Sequence, residues 1–257
     1  MRVALLTLGS RGDVQPFLAL ARALRAAGHE PVLAASAGFA PWIRSHGAGF
    51  APISFDAERF FRQPALERAK GSRLRFLAAM RREIGGQMVL LLDEFWQACQ
   101  GAELIIAPPP LAAAAYETLG AGPPLVAASP QPFLPTGAFP SFFLGAPIGF
   151  GRRANRLSHL ALERGFWLCV RPWINRWRRE RLGLPPASWS GAFEAMRRDR
   201  VPFLFAYSRH LLPPPADWQP WHTVTGYWFL DEEWEPPAAL RAFLERGPPP
   251  VYVGFGS

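Results

Sequence analysis

The densest concentration of chemically useful side chains is Gly9-Ser10-Arg11-Gly12-Asp13. A hydroxyl, a guanidinium and a carboxylate fall within one short turn, between glycines that permit positive φ and let a ligand come close to the backbone. An apolar run from Val3 precedes the turn, and from Phe17 the apolar positions Phe17, Leu20, Ala21 and Leu24 adopt helical spacing. The pattern predicts strand, glycine turn, helix. The free N–H groups and dipole of the new helix favour negative charge, so the turn suits an anionic ligand. In open α/β sheets, ligands bind at this carboxyl edge. A purely structural reading fits the same residues, because Asp and Ser cap helices and Pro16 is tolerated in a first turn.

Other chemistries are disfavoured. The glycine spacing is Gly-x-x-Gly rather than the dinucleotide fingerprint, and the next strand candidate, Pro31 to Ala35, runs into Ser36-Ala37-Gly38 with no acidic residue for a ribose. NAD is not expected. His29 and His46 have no second ligand one helical turn away, so no metal site is expected, and His210 and His222 carry no assigned role. Cys99 and Cys169 each sit in a helical apolar pattern and are expected to be buried free thiols.

The elements that must position the turn follow in order. Gly28 ends the first helix, a strand spans Pro31 to Ala35, a short helix spans Phe39 to His46, and a third strand spans Phe50 to Ile53. Residues 64 to 100 are helical, with Leu74, Leu77, Ala78 and Met80 on one apolar side, an interruption at Gly85-Gly86, and then a core-facing stripe of Met88, Leu91, Leu92, Phe95 and Cys99. Glu103 to Ala107 reads as a strand, Pro108-Pro109-Pro110 opens a helix closed by Gly120, and Leu125 to Ser129 is the next strand. Pro202 to Tyr207 and Thr223 to Tyr227 complete the set, and Pro236 to Arg246 is a short helix. Such alternation predicts an α/β fold with a doubly wound, mainly parallel Rossmann-like sheet flanked by helices.

Pro130 to Phe150 breaks the pattern. Phe133, Phe139, Phe142, Phe143 and Phe150 are set among prolines and glycines, too irregular for a helix and too apolar for a solvated loop. The loop either covers the core or walls a greasy ligand site. Asn155 to Leu182 is a basic-aromatic helix, or two broken at Pro172; it is expected to dock across the domain with its arginines in water, with a membrane interface as the alternative.

The net charge of +8 over 257 residues rests almost wholly on arginine, with Lys70 the single lysine. The arginines are dispersed and no recognised binding module organises them, so no nucleic-acid partner is expected. The opening apolar run is too short for a signal peptide, and no stretch of about 18 apolar residues occurs. A cytoplasmic location is expected, with peripheral membrane contact open.

Gly9-Ser10-Arg11-Gly12-Asp13-Val14-Gln15-Pro16, followed by Leu24-Arg25-Ala26-Ala27-Gly28-His29-Glu30, resembles the opening of the two-domain GT-B glycosyltransferases that include sterol glucosyltransferases and glycopeptide-antibiotic glycosyltransferases. Leu134-Pro135-Thr136, Arg181 to Pro186, Thr225 to Phe229 and Val251 to Ser257 agree with it. The resemblance implies inverting transfer of a sugar, with UDP-glucose the expected donor, to a hydroxyl of a lipophilic acceptor such as a sterol, lipid or natural product. It implies that Asp13 is the catalytic base, that Ser10, Arg11 and Gly12 face the donor's phosphates, and that Phe133, Thr136 and Phe139 contact the acceptor. No cofactor or metal is implied beyond the nucleotide sugar itself. Residues 1–246 are then the N-terminal acceptor-binding domain, and 247–257 a proline linker and first strand of a C-terminal donor-binding domain. On that reading the chain alone is inactive. A non-catalytic module for lipophilic ligands is the alternative.

Overall fold

The computed structural model describes residues 1–56, 59–60, 62–69, 71–119, 122–142, 151–232 and 234–254. Strands β1 (Arg2–Leu6), β2 (Glu30–Ser36), β3 (Gly49–Ile53), β4 (Leu104–Ala107), β5 (Leu125–Ser129), β6 (Phe203–Phe205) and β7 (His222–Val224) form one sheet in the order β3-β2-β1-β4-β5-β6-β7. Every pairing is parallel, with Leu5 opposite Leu33 on one side and Ile106 on the other. The helices are α1 (Arg11–Ala26), α2 (Ala40–Ser45), α3 (Pro64–Ala69), α4 (Arg73–Ala98), α5 (Pro109–Leu119), α6 (Arg152–Trp177), α7 (Ala192–Arg198) and α8 (Ala238–Glu245).

Strand β1 shows why both faces are covered. Val3, Ala4, Leu5 and Leu6 are all buried, which a parallel sheet sandwiched between helices requires. Successive side chains point to opposite faces. Val3 and Leu5 join Val14, Phe17, Leu18 and Ala21 of α1, whereas Ala4 and Leu6 belong to a larger core with Leu92 and Phe95 of α4 and Trp167, Ile174 and Trp177 of α6.

The connectivity determines where a ligand can enter. From β1 the chain proceeds to β2 and β3 on one side, then returns to β4 on the other, so the connections diverge between β1 and β4. Diverging loops leave a crevice at the carboxyl ends of those two strands.

Several local expectations are corrected. Gly85-Gly86 does not interrupt α4, which runs unbroken from Arg73 to Ala98. A Cβ on Gly85 would lie 2.5 Å from Cζ2 of Trp173, so this glycine lets α6 approach closely. Of the two readings of the next long stretch, one helix is what forms, and Pro172 does not break α6. Pro172 and Leu168 are exposed, and the Leu168 carbonyl that loses its helical donor lies on the helix's wet side. Cys99 is buried and burial pushes its thiol up to about 12, but Cys169 is exposed. The arginines of the α6 region are not all in water: Arg178 is drawn into a pair with Glu117 at 3.2 Å, whereas Arg181 stays exposed while meeting Asp93 at 2.6 Å. Among the described residues, Val251 to Gly254 pair with no strand, and Val251 and Tyr252 are 90% and 91% exposed. The expectations for Phe143, Phe150, Gly120 and residues 255–257, and for the side chains of Leu74, Leu77 and Met80, fall outside the described residues.

His222 packs among Phe203, Trp218 and Trp221, and its Nδ1 accepts the Gln219 N–H at 3.1 Å. Burial, aided by the charge of Arg197, pushes its pKa down from 6.5 to about 4. The unfolded chain therefore binds this proton more tightly, so the stabilisation is whole above pH 6.5 and is lost as pH falls towards 4. Discounting for partial exposure, roughly 1–2 kcal/mol should disappear by about pH 4.5. Urea midpoints at neutral pH and at about pH 4.5 test this. His222→Leu should lose less stability between them than the parent, and an equal loss would contradict the assignment.

Candidate active site

The chain leaves β1 through Thr7, which is buried and ties the strand end down, its Oγ1 donating to the Ala34 carbonyl at 2.7 Å. Gly9 follows with φ +141°, and Ser10, in extended conformation, caps α1. Asp13 is the third residue of the helix. Its Oδ2 accepts the Ser10 backbone N–H at 2.8 Å, and the Ser10 hydroxyl lies 3.4 Å away. One carboxylate oxygen is thus occupied in holding the turn, while Oδ1 has no hydrogen bond among the described residues. The capping and chemical readings of Asp13 are compatible, because a carboxylate can do one task with each oxygen.

Gly9 leaves the space that this carboxylate uses. A Cβ there would stand 2.0 Å from Asp13 Oδ2 and 2.6 Å from Cγ. Gly9→Ala must therefore displace the carboxylate or distort the turn, and positive φ penalises the alanine as well. If the carboxylate reacts, a displacement of about 1 Å costs about 10²-fold in turnover. The expected result is a fall of that size in kcat with little change in acceptor KM. An unchanged kcat would mean that Asp13's position is immaterial.

Asp13 opens into a cleft of about 200 Å³ at the divergence of β1 and β4, walled by Leu8, Phe17, Pro108, Pro109, Pro110, Leu111, Ser129, Pro130, Gln131 and Phe133. The two ends of this cleft differ chemically. The α1 end offers backbone N–H groups and a carboxylate, whereas three consecutive prolines at the start of α5 contribute no N–H at all. Larger grooves of about 750 and 690 Å³ lie along α6 and between α3 and α4, and neither touches Asp13.

The structure divides the site residues expected from sequence. Asp13 and Phe133 line the cleft together. Ser10 and Gly12 share the turn with Asp13 but do not line the cleft, and a Cβ on Gly12 would meet only the Ser10 hydroxyl, at 3.9 Å. Arg11 turns away: its guanidinium stacks over Trp42 at 4.8 Å, lies 3.9 Å from Glu232, and is still 61% exposed. Thr136 is fully buried, its hydroxyl donating to Asp217 at 2.7 Å and accepting from the Ala138 N–H at 3.0 Å. It braces the loop and does not reach the cleft. Phe139 is half-buried with its ring edge-on to His159, and it too lies off the cleft.

Sequence reasoning missed what holds the aromatic loop. Asp217 also accepts the Gly137 N–H at 2.7 Å, and α6 presents Asn155, Ser158 and His159 on one face to Gly137, Ser141 and Phe139. Burial depresses the His159 pKa, against the opposing bond to the Phe139 carbonyl, so the ring serves as a neutral donor. No sequence signal marks Asp217, because its partners lie far away along the chain. The Pro108-Pro109-Pro110 wall was readable only as a helix start.

Residues 3–131 match the Glycosyltransferase family 28 N-terminal domain. The chain belongs to glycosyltransferase family 28. Over 263 aligned residues this family 28 chain is 36% identical to the sterol 3-beta-glucosyltransferase of Aspergillus fumigatus and 37% identical to that of Leptosphaeria maculans. Each alignment covers 100% of this chain and 18% of the relative, so the chain spans under a fifth of those proteins. Among solved structures it is similar to CalG4, the calicheamicin glycosyltransferase, with a TM-score of 0.57 and 15% identity over 92% of this chain and 55% of that one. The glycotransferase of kitacinnamycin aligns with a TM-score of 0.53 and 20% identity over the same shares, 92% and 55%. These likenesses establish the fold, that of the GT-B glycosyltransferases.

Proposed function

We propose that this family 28 chain is the acceptor-binding half of an inverting glycosyltransferase that moves glucose from a nucleoside diphosphate, UDP-glucose, to a hydroxyl of a lipophilic acceptor such as a sterol. The observation that carries the reading is the Asp13 carboxylate in a cleft walled mainly by Leu8, Phe17, Leu111, Phe133 and prolines. The fungal relatives, as sterol 3-beta-glucosyltransferases, support the sterol and the glucose. As the acceptor oxygen bonds to the anomeric carbon, its proton passes to Asp13 Oδ1 and the bond from that carbon to the diphosphate breaks. An aspartate is too weak a base to ionise an alcohol beforehand, so proton transfer accompanies attack. Attack from the face opposite the leaving group inverts the centre.

The donor's phosphates meet the N–H groups of Arg11 and Gly12 in the first turn of α1 and the Ser10 hydroxyl, the Ser10 N–H being held by Asp13. Arg11 joins them by giving up its long ion pair with Glu232. Phe133, with Phe17 and the prolines of α5, contacts the acceptor. Residues 1–246 form the acceptor domain, and 247–257 lead into a donor-binding domain without which the chain is inactive. No helix among the described residues is long and apolar enough to cross a membrane. The protein works in the cytoplasm, in peripheral contact with membrane.

The test is transfer by the protein in the form its native cell produces, with UDP-glucose and a sterol, reading the product's anomeric configuration by NMR. A β-glucoside from the α-linked donor is expected. Saturable sterol binding without transfer would instead favour a non-catalytic lipophilic-ligand module.

A further inference from the structure

The segment that leaves β7 runs across α1 before it reaches α8. Thr225 is anchored to the Phe205 carbonyl by its N–H at 2.9 Å and its hydroxyl at 3.0 Å. Beyond it, Trp228 and Leu230 pack against the core that α1 shares with the sheet, while Tyr227 and Phe229 are exposed. Trp228 meets Phe17 edge-on at 5.9 Å. Two bonds fasten the far end: Arg22 of α1 donates to the Asp231 carbonyl at 2.8 Å, and the indole N–H of Trp42, on α2, donates to Glu232 at 2.8 Å.

Glu232 is thereby placed beside Arg11, the cation that the cleft does not include. Its carboxylate also meets His46 Nε2 at 3.0 Å, and the Trp42 bond foremost holds its pKa below the usual carboxylate range, so it stays ionised at neutral pH. Arg11, the first residue of α1, has three partners on this side: the face of Trp42 at 4.8 Å, Gln15 Oε1, which accepts from Nε at 3.1 Å, and Glu232 at 3.9 Å. Of the three, Glu232 alone is an anion. The members of this pair differ in freedom, since Glu232 is bonded to two rings whereas Arg11 is 61% exposed. The guanidinium is the part that can move.

We propose that Glu232 is a positioning residue for donor binding, an internal anion that holds the Arg11 guanidinium away from the diphosphate site and competes with the diphosphate for it. The inference rests on the reading that a nucleoside diphosphate sugar binds at the first turn of α1. A carboxylate and a phosphate ask a guanidinium for the same charge-assisted bonds, so Arg11 serves one of them at a time. Until the donor arrives, Glu232 also keeps this cation off Asp13, whose Oδ1 must accept a proton. Donor binding then costs what the Arg11–Glu232 pair contributes, which for a pair this exposed and this long is a small factor. Release of the nucleoside diphosphate gains by the same amount, because Glu232 draws Arg11 back as the phosphates leave.

The experiment is a double-mutant cycle in the full protein with Glu232→Gln, Arg11→Gln and the two combined, measuring UDP affinity by calorimetry together with donor KM, acceptor KM and kcat. Glutamine keeps an oxygen for the Trp42 N–H, so the segment stays fastened while the charge is removed. Glu232→Gln should tighten UDP binding and lower donor KM by about 1.5- to 5-fold, with acceptor KM unmoved. Arg11→Gln should weaken donor binding, and adding Glu232→Gln to it should change nothing further. A purely structural Glu232 would act alike with and without Arg11. That outcome, no tightening at all, or a fall in kcat at unchanged donor KM would overturn the inference, the last meaning that the freed guanidinium settles on Asp13. A parent protein that binds neither UDP nor UDP-glucose would overturn the donor reading itself, a failure visible before any substitution is made.

Discussion

Asp13→Asn should lower transfer by about 10²–10⁴-fold, the usual contribution of a general base, while leaving acceptor binding and stability nearly intact. Asparagine keeps an oxygen that can accept the Ser10 N–H, the bond of 2.8 Å that closes the turn. It loses the proton acceptor and the negative charge at the mouth of α1, and the charge contributes about 0.3–1 kcal/mol to such a helix. Asp13→Ala removes both functions, so its thermal midpoint should fall further than that of the asparagine variant at comparable loss of activity. The measurements are kcat, acceptor KM and thermal midpoint for both variants in the full protein. If Asp13→Asn kept more than about a tenth of parental kcat, the carboxylate would be a cap and the base would lie elsewhere.

Trp177→Ala should destabilise the fold by about 3–5 kcal/mol, the range for truncating a large buried ring. Trp177 is 1% exposed, and its indole N–H donates to Asp93 at 2.7 Å, joining α6 to α4. Asp93 would keep Arg181 at 2.6 Å, so the loss is chiefly of packing rather than of an ion pair. At about 2–4 °C per kcal/mol for a chain of this size, the thermal midpoint should drop by roughly 6–20 °C. Trp96→Ala provides the control, since Trp96 borders the same ring but is 36% exposed, and its loss should be markedly smaller. Equal losses would mean that α6 is not clamped to α4 through Trp177. Neither tryptophan lines the cleft, so kcat per folded molecule should survive below the midpoint.

The order of strands and helices was legible because each βα unit advertises itself locally: a short apolar run, a turn residue, then helical spacing. Errors arose where a local signal met a distant partner. Gly85 looks like a break until Trp173 arrives to occupy its missing Cβ. Cys169 sits in an apolar pattern, but α6 is buried along a stripe through Trp167, Val170 and Ile174 that leaves it outside. Thr136 stands among acceptor-loop residues in sequence, yet Asp217 draws it into the interior.

By itself the sequence determined the β1–turn–α1 unit and the place of Asp13 within it, because the interactions that build this unit span only a few residues. Gly9 makes room, Ser10 supplies the N–H, and Asp13 accepts it one helical turn later. Only the tertiary structure decided what faces that carboxylate. The parallel sheet brings every strand's carboxyl end to one edge, and its order places β4 and β5 beyond β1, so Pro108 to Leu111 and Ser129 to Phe133 close a cleft with residues remote in the chain. Such pairings depend on strand order and register, which arise from burial summed over the whole core and leave no mark at either partner's own position.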